Sequence, residues 1–94
     1  MKNTSRHDEY VDYLLDRLSS WEFDDLEPYV KDNGYEYDII GKMDDVIYYF
    51  EVKSSKKGRK KALSQIDKWA DKNKHKPKHA FVYIGKDDEL QMVR

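Results

Sequence analysis

Ninety-four residues, 39% of them charged but with a formal net charge of only −1, suffice for one domain, and their overall field does not announce a polyanion as partner. The absence of cysteine excludes disulfides and thiolate metal sites. No stretch approaches the ~20 apolar residues that span a bilayer, and the start, Met1 to Ser5, lacks the apolar run of a signal peptide. The chain therefore reads as a single soluble domain over residues 1–94, cytoplasmic and without a membrane partner. Its mean hydropathy of −1.05 leaves the core to be built largely by the aromatic residues, 14% of the total.

Thr4 and Ser5 are candidate caps for a first helix over about residues 6–19, in which Tyr10, Val11, Leu14, Leu15 and Leu18 recur at helical spacing. Trp21 and Phe23 are expected to fold back onto the core. A short strand over residues 27–31 follows an acidic loop, with Pro28 confining it to an edge or to its own start. Asp32-Asn33-Gly34 signals a turn. Residues 35–40 form the next strand, and 41–45 turn the chain. Residues 46–54 form the strongest strand, because Val46-Ile47-Tyr48-Tyr49-Phe50 is β-branched or aromatic throughout, and such a run suits a central place in the sheet. A second helix over about residues 60–74 sets Ala62, Ile66, Trp69 and Ala70 on one stripe, and Pro77 marks its exit. Strands over 79–84 and 90–94, joined by a turn at 85–88, complete an α-β-β-β-α-β-β order.

Three features carry chemistry. Asp38 sits within Tyr35-Glu36-Tyr37-Asp38-Ile39-Ile40, where a buried carboxylate needs a partner or a metal. Glu51 and Lys53 close the most apolar strand, and the period of two puts both on one face, about 6.5–7 Å apart along the strand. Gln65 lies on the second helix beside the apolar stripe, grouped by helical spacing with Lys61, Lys68 and Lys72. Carboxylates at neighbouring strand ends with a lysine suit phosphodiester hydrolysis. Hard oxygen ligands hold Mg²⁺ or Mn²⁺, and the lysine orients water or stabilises developing negative charge.

An Asp, then Glu-Val-Lys at the end of an aromatic strand, then a helix bearing Gln resembles the PD-(D/E)XK nuclease superfamily. The Asp38-to-Glu51 spacing is similar to that in archaeal Holliday-junction resolvases. Tyr37 stands where the motif's proline would be. The resemblance runs from Glu9 to about Ile84. It implies a restriction-endonuclease-like α/β fold, an α-β-β-β-α-β core with a mixed central sheet flanked by helices. It also implies a metal-dependent nuclease acting on DNA, structure-specific in the manner of Holliday-junction resolution, and a homodimer. The catalytic set it implies is Asp38, Glu51, Lys53, Gln65 and Glu9, with Asp38, Glu51 and Glu9 on the metal.

The run Lys56, Lys57, Arg59, Lys60 and Lys61, continued by Lys68, follows that site and is expected to contact phosphates. His7, His75 and His79 lack metal-ligand spacing and read as structural or solvent-facing. Two rival readings keep the same fold without catalysis: a nucleic-acid-binding module, and a protein-interaction domain using a tyrosine-rich surface.

Overall fold

A computed structural model describes residues 6–32, 34–70 and 77–94, with the backbone alone at 69 and 70. The candidate caps Thr4 and Ser5, the turn residue Asn33, His75, Lys72 and the side chains of Trp69 and Ala70 lie outside the described residues. Helix α1 (Arg6–Leu18) runs into a 3-10 turn (Ser19–Trp21). Strands β1 (Asp25–Asp32), β2 (Tyr35–Met43) and β3 (Val46–Lys53) follow, then a 3-10 turn (Lys56–Gly58) and α2 (Arg59–Ala70). Strand β4 (His79–Ile84), a 3-10 turn (Gly85–Asp87) and β5 (Glu89–Met92) close the chain. The five strands form one sheet in the order β1-β2-β3-β4-β5, antiparallel except between β3 and β4. The parallel pair follows from topology: α2 carries the chain back across the sheet, whereas the other connections are hairpins.

Each helix covers one face. Val11, Leu14 and Leu18 of α1 pack on Ile39, Phe50, Val52 and Tyr83, while Ala62 and Ile66 of α2 pack on Tyr37, Tyr49, Ala80, Val82 and Ile84. Strand β3 is therefore buried on both sides, as its unbroken apolar run foretold. Trp21 and Phe23 do fold back, meeting Phe50 edge-on at 6.3 and 6.0 Å between ring centroids.

The turn expected over 41–45 shrinks to Asp44 and Asp45, both with positive φ (53° and 64°), as a two-residue type I′ hairpin turn requires. Gly41 stays in the strand because a ring takes the space of its missing side chain. A Cβ there would lie 2.8 Å from Cε1 of Phe23. The acidic residue Asp25, assigned to a loop from sequence, pairs with Lys42 at the start of β1.

One irregularity positions the site. The β1–β2 ladder pairs Pro28 with Ile39 and Val30 with Tyr37, and passes over Tyr29 and Asp38 between them. Tyr29 has φ of 52°, a conformation that a bulky residue adopts only when its surroundings impose it. The period of two breaks here on both strands. Ile39 packs under α1 but Tyr37 under α2, and Leu26 packs under α1 but Val30 under α2. Asp38 stands at this change of face.

Candidate active site

The β2–β3 ladder ends at Ile39 and Phe50, so Asp38 stands opposite Glu51 one step beyond it. The Asp38 carboxylate replaces the missing ladder bond, with Oδ2 accepting the Val52 N–H at 2.8 Å. The same oxygen lies 3.3 Å from Nε2 of His7, at the start of α1. Asp38 and Glu51 are both buried, and each perturbs the titration of the other. Lys53 Nζ lies 3.1 Å from Glu51 Oε2. The buried Tyr49 hydroxyl donates to Glu51 Oε1, which period-two alternation places on its own face. Gly58 seats the lysine: a Cβ there would come within 3.0 Å of Lys53 Cδ, so the bare backbone lies along the side chain's stem.

Asp38, Glu51 and Lys53 are thus brought together. Gln65 joins them less directly. It follows Ala62 by three residues and precedes Ile66, so it shares the helix side that meets the sheet. Its Oε1 is buried and accepts no hydrogen bond among the described residues. Glu9 is not brought to the cluster, which corrects the sequence reading. Its side chain is exposed and lines a groove with Tyr10, Tyr13, Tyr83, Gly85 and Asp88. The helix places His7 at the carboxylates, and Glu9, two residues on, is turned well away from it around the axis. His7 is accordingly no bystander.

The basic run divides. Lys56, Lys57, Lys60, Lys61 and Lys68 are exposed. Lys56 and Arg59 turn toward β5, each 4.0 Å from a Glu89 oxygen, and Arg59 also donates to Gln91.

The electrostatics are those of two carboxyls forced together. Burial, then the Asp38 charge, pushes Glu51 up to about 7, against the pull of the Tyr49 hydroxyl and Lys53. Burial would also raise Asp38, but His7, Glu51 and the Val52 N–H outweigh it and hold the group below its ordinary value. His7 is raised by its bond to Asp38, against the opposing effect of burial.

These directions set a pH dependence for the metal-free protein. A carboxyl raised from 4.5 to about 7 binds its proton more tightly when folded. Its contribution to stability is therefore intact below its unfolded value and lost as pH rises through about 7. The raised His7 acts with the same sign, its contribution full below 6.5 and lost above its folded value, whereas the Asp38 contribution is lost only as pH falls below 3.8. The melting temperature in EDTA is expected to decline between about pH 5 and pH 8, and Glu51→Gln should flatten that decline. Parallel profiles for parent and variant would refute the assignment.

Among the described residues no set of three or more His, Asp and Glu side chains is arranged to hold a metal ion. The fit is instead that of a pair. Mg²⁺ keeps several waters and needs only one or two carboxylates, and Asp38 and Glu51 supply two, buried and mutually repelling. A divalent cation between them would relieve that repulsion, and the orphaned Gln65 oxygen offers a further acceptor on the same side of the sheet.

Fold and site together define a small mixed α/β domain with a carboxylate–lysine cluster at the end of its central strand. The chain belongs to the family described as a domain of unknown function, DUF4143, whose model matches residues 11–93 and so spans Asp38, Glu51, Lys53 and Gln65. No curated protein and no solved structure matches it. Among the described residues no helix is long and apolar enough to cross a membrane.

Proposed function

We propose that this domain is a divalent-metal-dependent nuclease with a restriction-endonuclease-like core, cutting nucleic acid phosphodiesters, DNA in the first place. One observation carries the reading. Two buried carboxylates stand opposite one another on adjacent strands, with an ammonium 3.1 Å from one of them. A merely structural ion pair needs one carboxylate, and burying a second beside it is costly unless a cation is to be shared. The α-β-β-β-α-β order, with the Asp before and the Gln-bearing helix after Glu-Val-Lys, supports the PD-(D/E)XK assignment.

Asp38 and Glu51 would hold Mg²⁺ or Mn²⁺, which supplies the positive charge that acidifies a water and offsets charge on the phosphate. The chain's own groups do the rest. Val52 N–H and His7 fix the Asp38 carboxylate, and Tyr49 fixes that of Glu51. Lys53, its stem lodged against Gly58, presents an ammonium where it can orient the attacking water or stabilise the phosphoryl oxygens. Cutting of branched DNA by a homodimer is the finer form of the proposal. Incubation with single-stranded, duplex and four-way-junction DNA, in Mg²⁺, Mn²⁺ or EDTA, tests it. Cleavage in EDTA, or none in either metal, would overturn it.

Nucleic acid is expected to cross the exposed lysines that follow Lys53. Replacing Lys57, Lys60 and Lys61 together by Ala should flatten the plot of log affinity against log salt by about 2–3, since each lost phosphate contact removes about 0.9 of slope. Arg59 is left in place because it faces Glu89 and Gln91. A salt titration in Ca²⁺, where cutting does not interfere, reads the effect. An unchanged slope would place the nucleic acid elsewhere.

A further inference from the structure

The groove that receives Glu9 is a concave feature about 370 Å³ in volume, between α1 and the turn after β4. Its walls are fixed. Tyr83 is buried, stacks with Tyr13 at 6.4 Å, and donates its hydroxyl to Asp88 Oδ1 at 2.7 Å. Arg17 holds that same oxygen at 3.1 Å. Gly85 closes one end, and only glycine fits there, because a Cβ would lie 2.2 Å from Cγ of the Tyr10 ring. Tyr13, stacked on Tyr83, leaves 52% of its surface open.

Charge says what the open ring could receive. Helical spacing sets Glu9, Asp12, Tyr13 and Asp16 along one exposed stripe of α1. Arg17, the nearest cation on the helix, is engaged with Asp88. An aromatic face flanked by carboxylates attracts an ammonium or guanidinium through both the ring quadrupole and direct charge. The same surface repels a phosphate backbone, which sets it apart from the lysine-rich segment after β3.

We propose that this groove docks a basic segment of a partner protein, seating a lysine or arginine head group over Tyr13 beside Glu9. The inference does not rest on the nuclease reading. It is tested with the whole domain, titrated in NMR with three flexible peptides alternating glycine with lysine, with arginine or with glutamate. The lysine and arginine peptides should produce saturable shifts at Glu9, Tyr13 and Tyr83, and the glutamate peptide none. Tyr13→Ala should weaken binding roughly fivefold or more, and Asp38→Asn should leave it unchanged. Should Tyr13→Ala fail to fold, Glu9→Gln, at an exposed position, probes the same groove. Shifts centred on Asp38 and Glu51, or binding indifferent to the groove substitution, would overturn the proposal. Groove shifts that grow with protein concentration without any peptide would also overturn it, assigning the surface to a second copy of the chain.

Discussion

Asp38→Asn is expected to lower the proposed metal-dependent cleavage roughly a thousandfold or more, since the metal ligand proposed here is asked for several kcal/mol of transition-state stabilisation, while the domain stays folded. The amide oxygen can still accept the Val52 N–H, so the link that replaces the last rung of the β2–β3 ladder survives. What is lost is the negative charge that faces His7 and Glu51. Asp38→Ala should abolish cleavage equally but behave differently in a melt. Removing one of two crowded carboxylates relieves repulsion and by itself favours stability. The geometry opposes that gain, because alanine orphans a buried backbone N–H at a cost of about 1–3 kcal/mol. Asparagine should therefore melt above alanine. Cleavage by Asp38→Asn at the parental rate would remove Asp38 from the chemistry, and equal melting of the two variants would remove the Val52 bond from the stability argument.

Phe50→Ala should have the largest effect on stability, about 3–5 kcal/mol, as expected for emptying a large aromatic site in a close-packed core. Phe50 is fully buried on the central strand, stacks on Phe81 at 4.9 Å, and takes the edges of Phe23 and Trp21. A domain of this length is stable by only about 5–15 kcal/mol, so the loss is a large share of the whole. Urea unfolding should show a lower midpoint with an unchanged slope, and Phe50→Leu should recover most of the difference by refilling the volume. A midpoint within error of the parent would mean that β3 is not the keystone of the α1 face.

Element types and their order could be read from the chain because hydrophobic period is a local property. The apolar run from Val46 to Phe50 and the stripe beginning at Ala62 state their own burial. The Glu51–Lys53 relation was legible for the same reason, and Tyr49 could have been added by one more step of two along the strand. Asp38 opposite Glu51 required the hairpin register, which turns on Asp44 and Asp45 rather than on Gly41. His7 was out of reach, because its contact with Asp38 depends on how α1 lies on the sheet, and histidine spacing carries no trace of that. Glu9 was assigned by its place on the first helix alone. Which of two residues in one helical turn faces a site is a rotational question that a position count cannot answer.

The passed-over pair at Tyr29 and Asp38 also governs what the border of the sheet can recruit. Among the described residues strand β1 is an eight-residue strand at the border of the sheet, long enough to template addition of a foreign strand. Pro28 withholds a donor at its middle, and Tyr29 just after it departs from the extended backbone into the left-handed region. An incoming strand would therefore find two short stretches out of line instead of a continuous row. The same deviation that delivers the carboxylate inward makes the outer border a poor seed for sheet extension. Straightening it, for instance by replacing Pro28 and repairing the pairing at Tyr29, would trade a placed aspartate for an adhesive edge.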